Sequence, residues 1–158
     1  MIPSSFHHNP TFQGDYIMNI RQENGKAIKE ILDKIGPEDA VIRTTSEWAF
    51  SVYYSERSED SLTIEMCLNT DYQGDPLFDP LMRIELALDP EGKIIEAKPV
   101  YYLSRTLFYT EEIYSEGNPA CYNPKLYKKA GEMDSRLAEW LTMLKIQGYL
   151  TDGVICRN

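Results

Sequence analysis

Four stretches of this chain alternate apolar and polar residues with a period of two. In EWAFSVYYS (47–55), Trp48, Phe50, Val52 and Tyr54 fall on one side. In LTIEMCLN (62–69), Leu62, Ile64, Met66 and Leu68 oppose Thr63, Glu65 and Cys67. In LMRIELAL (81–88), Met82, Ile84, Leu86 and Leu88 oppose Arg83 and Glu85. A β-strand sends successive side chains to opposite faces, so each stretch reads as a strand with one apolar face. The fourth stretch, KIIEAKPVYYL (93–103), follows Asp89-Pro90-Glu91-Gly92. Asp at the first position, Pro at the second and Gly at the fourth suit a type I turn, which predicts an antiparallel hairpin. Pro99 cannot donate to a ladder, so the fourth strand is expected to be an edge there or to carry a bulge. AVIRT (40–44) either begins the sheet or extends its first strand.

Helical spacing brackets these strands. Ile20, Ala27, Ile28, Ile31, Leu32 and Ile35 form an apolar stripe that predicts a helix over 19–35, weakened at Gly25 and stopped by Gly36-Pro37. Residues 1–17 read as an arm, broken by Pro3, Pro10 and Gly14. Asn123-Pro124 offers an N-cap and a first-turn proline. Met133, Leu137, Trp140, Leu141 and Leu144 then mark a helix over 133–147, with Gly131 as a break before it and Gly148 as its C-cap. The sum is a single α+β domain over 18–150 with a C-terminal tail at 151–158. Its antiparallel meander has four to five strands, and an N-terminal and a C-terminal helix pack on one sheet face. The other face, with Glu65, Arg83 and Glu85, is expected to be wet or partner-bound.

A chain of 158 residues is one domain by length, and no run approaches the roughly 20 apolar residues that span a bilayer. The first residues carry neither a cationic nor an apolar signal region, so the expectation is a cytoplasmic protein without a membrane partner. Cys67, Cys121 and Cys156 are too few and too far apart for a disulfide framework or a metal knuckle. Charge is the uneven quantity. Residues 55–91 carry ten acids and two bases, a net of −8 against −9 for the whole chain. Nucleic-acid binding needs clustered Lys and Arg, so it is disfavoured. An acidic face attracts a basic partner or a divalent cation.

Asp71, Asp75 and Asp79 stand four apart in DYQGDPLFDP (71–80), two of them directly before proline. The spacing does not fit a calcium loop, and Asp before Pro is ordinary turn chemistry. His7 and His8 have no companion histidine to complete a metal site. The segment 101–127 holds Tyr101, Tyr102, Phe108, Tyr109, Tyr114, Tyr122 and Tyr127, with Lys125, Lys128 and Lys129 nearby. Such rings stack single-stranded bases when a positive groove runs beside them; otherwise they pack beneath loops. Phosphate-binding, nucleophile-elbow and zincin templates are absent from the sequence. No catalytic residue, metal ligand or cofactor is assigned.

The stretch Gly74-Asp75 … Asp79-Pro80-Leu81-Met82 and the terminal Trp140 … Gln147-Gly148-Tyr149 resemble small bacterial domains of unknown function from conjugative elements, plasmids and phages. Element order and the LAEWL helix are more faintly similar to the uncharacterised YqiB-like proteins. The resemblance implies a mobile-element setting and no activity. Three readings follow. The first is a non-enzymatic protein-interaction module, with Glu59, Asp60, Glu65, Asp71, Asp75, Asp79 and Glu85 meeting a basic protein partner. The second is single-strand nucleic-acid binding through Tyr109, Tyr122, Lys128 and Lys129. The third is a divalent-metal enzyme using Asp71, Asp75 and Asp79. An exposed sheet face also suits a homodimer.

Overall fold

The alternating segments do become strands, and they lie side by side in chain order. The computed structural model describes the backbone of residues 11–72, 74–104, 109–112 and 124–157, and the side chains of 19–71, 74, 77–104 and 131–157. Helix α1 (Thr11–Ile35) leads into β1 (Ala40–Arg43), β2 (Ala49–Arg57), β3 (Ser61–Tyr72), β4 (Asp75–Leu88), β5 (Ile94–Ser104) and β6 (Tyr109–Glu112). Helix α2 (Pro124–Ile146) and β7 (Val154–Cys156) complete the chain. The order across the sheet is β6-β5-β4-β3-β2-β1-β7, antiparallel at every step. Six strands therefore form a meander, and β7 returns to cover the outer side of β1.

One core joins the layers. Ile28, Ile31 and Ile35 of α1 and Met133, Leu137, Trp140, Leu141 and Leu144 of α2 pack on Phe50, Val52, Ile64, Met66, Met82, Ile84 and Leu86. Trp140 meets Phe50 edge-on at 6.0 Å, and Phe50 meets Tyr149 at 5.9 Å. The Tyr149 hydroxyl donates to the Trp48 carbonyl at 2.6 Å, tying the chain after α2 to the start of β2. Both helices thus cover the same sheet face, as the stripes require. Among the described residues no helix is long and apolar enough to cross a membrane.

The structure departs from the sequence expectation in four places, one of them α2, which runs unbroken from Pro124 through Gly131 where a break was expected. The sheet has seven strands rather than four to five: AVIR is a strand of its own, residues 109–112 add β6, and residues 154–156, expected as a tail, add β7. Residues 109–112 and 154–156 are too short to carry a visible period. The N-terminal helix begins at Thr11, inside the expected arm, and runs through Gly25. There glycine serves close approach: a Cβ would stand 3.2 Å from the Glu96 Cα of β5. Finally, DYQGDPLFDP is a hairpin rather than a loop between strands. Tyr72 pairs with Asp75 across a turn that contains Gly74.

Other expectations are met. Asp89 Oδ1 accepts the Glu91 and Lys93 N–H groups at 2.8 and 2.9 Å, and the Gly92 N–H reaches the Asp89 carbonyl at 2.9 Å. Gly92 takes φ of 84°, which suits a type I turn closed by a bulge. The β4–β5 register slips between Arg83 and Ile84, opposite Pro99 to Tyr101. β6 pairs only from Tyr101 onward, so β5 is indeed bulged and one-sided at Pro99.

A tight reversal returns the chain from α2 to β7. Gly148 takes φ of 87°, and its carbonyl accepts the Asp152 and Gly153 N–H groups at 2.9 and 3.0 Å. A Cβ on Gly153 would overlap the Tyr149 carbonyl oxygen and the Ile42 side chain. Gly153→Ala is therefore expected to cost about 2–3 kcal/mol through overpacking. Gly74→Ala, strained in backbone but facing open space, should cost about 1 kcal/mol. Urea denaturation of the two variants measures the difference.

Candidate functional site

The outer sheet face divides its charges into pairs. Glu65 and Arg83 are direct partners across β3 and β4, and Arg83 Nη2 lies 3.0 Å from Glu65 Oε1. Glu85 and Lys98 are direct partners across β4 and β5, with Lys98 Nζ 3.8 Å from Glu85 Oε1. The Arg83 guanidinium also lies over the Tyr101 ring at 5.3 Å. Glu65 and Glu85 are thus compensated within the sheet. Further along the same face Ala49, Ser51 and Cys67 are buried. Asn69 Nδ2 donates to Ser51 Oγ at 2.7 Å and lies 3.7 Å from Cys67 Sγ. Burial pushes the Cys67 thiol above its ordinary pKa, so it stays protonated and a poor nucleophile.

Uncompensated acid gathers instead at one end of the sheet. The β2–β3 and β4–β5 turns lie there together, and the Leu88 N–H donates to the Asp60 carbonyl at 2.8 Å. Residues 56–60 and 89–93 carry five acids (Glu56, Glu59, Asp60, Asp89, Glu91) and two bases, Arg57 and Lys93. Glu59 and Asp60 are exposed, as the sequence reading required. Asp60 Oδ1 accepts the Ser58 hydroxyl at 3.0 Å, and Lys93 stands 3.4 Å from Glu91 in a fully solvated pair. The C-terminal end of α1, the negative pole of its dipole, points to the same end.

Between α1 and these turns runs an open cleft of about 360 Å³. Leu32, Leu62, Leu88 and Ile94 form its apolar floor, and Asp33, Tyr54, Glu56 and Arg57 its polar wall. The Tyr54 hydroxyl donates to the Gly36 carbonyl at 2.6 Å, fixing β2 to the end of α1. Burial first, and Asp39 second, push the Tyr54 phenol above its usual pKa, while Arg157 and Arg57 draw it down.

The remaining sequence candidates lie elsewhere. Asp71 and Asp75 belong to the β3–β4 hairpin, at the opposite end of the twelve-residue β3 from Glu59 and Asp60. At 3.3 Å per residue that is roughly 35 Å. Asp79, before a cis peptide to Pro80, accepts the Ser104 hydroxyl at 3.0 Å. The side chain of Asp75 lies outside the described residues, as do those of Tyr109, Lys128 and Lys129. Tyr122, Cys121, His7 and His8 lie wholly outside them. Tyr101 and Tyr102 sit on opposite faces of β5, Tyr102 being buried beneath the Arg136 guanidinium. Among the described residues no three His, Cys, Asp or Glu side chains are placed to hold a metal ion.

One ionisable group escaped the sequence reading. Asp134 of α2 is completely buried, and Arg21 Nε of α1 meets its two oxygens at 3.2 and 3.1 Å. Asn24 Nδ2 donates to the Asp134 carbonyl at 3.0 Å. Desolvation raises the Asp134 pKa from 3.8 to about 6 despite the opposing pull of Arg21, with Glu96 adding to the rise and Lys98 reducing it. A raised native pKa means that the folded state holds the proton more tightly than the unfolded chain. Stability from this group is therefore full below about pH 4 and falls as pH rises through 6. The loss is at most about 3 kcal/mol. Chemical denaturation from pH 4 to 7 should show that decline in the wild type and a flatter profile in Asp134→Asn.

No protein-family model, curated protein or solved structure matches this chain.

Proposed function

We propose that the protein is a non-enzymatic interaction module whose acidic turns dock a basic surface of a partner protein. The observation that carries this reading is the joining of the two turns through Leu88 and Asp60, which sets Glu56, Glu59, Asp60 and Glu91 on one exposed rim. On the outer sheet face Glu65 and Glu85 already have intramolecular bases, and forming a complex through them would break those pairs. Rim charge of one sign steers a partner of the opposite sign and discriminates against others. The surface is built of turn residues on a rigid sheet, the usual placement for recognition. A mobile-element setting, which the sequence resemblance implies, accommodates such a module.

The paired double variant Glu59→Lys/Asp60→Lys tests it. Tagged protein is incubated with nuclease-treated bacterial lysate, and retained proteins are quantified at low and high salt. The reading expects a basic protein whose recovery drops about tenfold in the double variant and falls steeply with salt. Asp71→Lys, at the far end of the sheet, should retain it. Equal recovery with both variants, or recovery only with intact nucleic acid, rejects the acidic rim.

A further inference from the structure

Two slips of the ladder border the cleft under α1. In β2, Tyr54 pairs with Ile64 and Glu56 with Thr63, so Ser55 is an extra residue. Beyond it Arg57 stands opposite the core residue Leu62 and lines the cleft on the helix side. Glu56 turns instead to the outer sheet surface, beside Thr63, Arg83 and Glu85. In β5, Leu88 pairs with Ile94 and Ala87 with Glu96, so Ile95 is extra. Bulges re-aim side chains in this way. Ile94 joins Leu32, Leu62 and Leu88 in the floor of the cleft, and Ile95 next to it is left 48% exposed.

The charges around this floor select what can enter it. Asp33 is held by Lys29 at 2.6 Å, and the Tyr54 hydroxyl by Gly36. Among the described residues the Arg57 guanidinium has no hydrogen-bond or ion-pair partner, so a cation inside the cleft meets it uncompensated. An anion meets the C-terminal pole of α1, whose Gly36 and Pro37 line the same space. A neutral apolar side chain avoids both and covers the floor. The cleft, at about 360 Å³, has room for one large side chain. Its lip is acidic. Arg57 and Gly92 line it and belong to the two turns that expose Glu59, Asp60 and Glu91. Solvated charge of this kind steers an encounter but adds little affinity, whereas side chains seated in pockets supply most of it.

We propose that the cleft is the anchor pocket of the docking surface. It takes one side chain of the size of leucine or phenylalanine from a partner's segment, on Leu62, Leu88 and Ile94. Lysines or arginines on both sides of that residue stay outside and reach Glu59, Asp60 and Glu91. The Arg57 guanidinium, which keeps basic groups out of the cleft, donates to main-chain carbonyls of the segment. This inference rests on the partner reading above and specifies the segment: a single large apolar residue between basic ones.

Fluorescence anisotropy of the full chain with labelled, C-terminally amidated Lys-Lys-Leu-Lys-Lys, Lys-Lys-Phe-Lys-Lys and Lys-Lys-Gly-Lys-Lys tests it at near-physiological salt. The expected result is saturable binding of the leucine or phenylalanine peptide, weakened about tenfold or more when glycine replaces the anchor. Asp33→Phe, which fills the mouth of the cleft, should lower both to the level of the glycine peptide. Asp33→Asn, which removes the same charge, should bind as the wild type does. The Asp33 side chain is 64% exposed, and an unchanged melting midpoint shows that each variant is folded; if Asp33→Phe is not, the glycine peptide decides. Glu59→Lys/Asp60→Lys should weaken all three peptides. Binding that ignores the anchor but falls in that double variant overturns the cleft and leaves the acidic turns standing. Anchor-dependent binding that ignores the double variant overturns the acidic turns and this inference with them. Absence of saturable binding by both anchored peptides overturns the inference as well.

Discussion

Everything in this molecule depends on burying one face of a twisted antiparallel sheet beneath two helices. Phe50, Val52, Ile64, Met66, Ile84 and Leu86 leave water together with Ile28, Ile31, Leu137 and Leu144. Each fully buried side chain of this size contributes roughly 1.5–3 kcal/mol, and no other class of contact here matches that sum. The polar consequences follow from geometry. Once even positions on β3 and β4 are committed to the core, odd positions must face outward, and Glu65, Arg83, Glu85 and Lys98 become cross-strand neighbours. Their pairing is a by-product of register and is worth about 0.2–1 kcal/mol a pair. It nevertheless decides which acids are left to meet anything else.

Irregularities in the ladder decide where individual side chains go. A one-residue slip inverts every side chain beyond it. In β2 the extra Ser55 exchanges the places of Glu56 and Arg57 and puts a cation over an apolar floor. In β5 the slip near Pro99 keeps Tyr102 in the core and leaves Tyr101 outside beneath Arg83. Neither residue's destination follows from parity counted along an unbroken strand.

That distinction explains how much could be read in advance. Trp48 to Tyr54, Leu62 to Leu68 and Met82 to Leu88 carry unbroken alternation, so their faces were legible, as was the Asp89–Gly92 turn. β6 and β7 were not, because three or four residues hold no period, and β1 was legible only as an alternative to a longer β2. The β3–β4 hairpin was hidden by Pro76 and Pro80, which look like loop residues although β4 runs through both. Tyr109, Tyr122, Lys128 and Lys129 were chosen by composition, a property that does not specify a face. Asp134 left a signal that composition missed. It lies three residues before Leu137 and seven before Leu141, within the apolar stripe of α2. Arg21 and Asn24 stand seven and four residues before Ile28, within the stripe of α1. Polar residues on the buried stripes of two helices imply a contact between those helices.

The buried Arg21–Asp134 pair and the exposed acidic turns illustrate opposite uses of charge. Inside, desolvation is so costly that the Asp134 pKa is pushed up to about 6 even with a guanidinium on both oxygens. Such a pair is weak support for stability. Its value is in specifying one alignment of α1 on α2, since sliding either helix would strand a buried charge. At the turns, water already solvates Glu59, Asp60 and Glu91, so their charges cost the fold little and project into solvent. The same domain thus keeps its internal ions for fixing geometry and leaves its turn charges to water, where the proposed docking would use them. The sheet separates the two sets, because the face that packs on the helices has no room for the second.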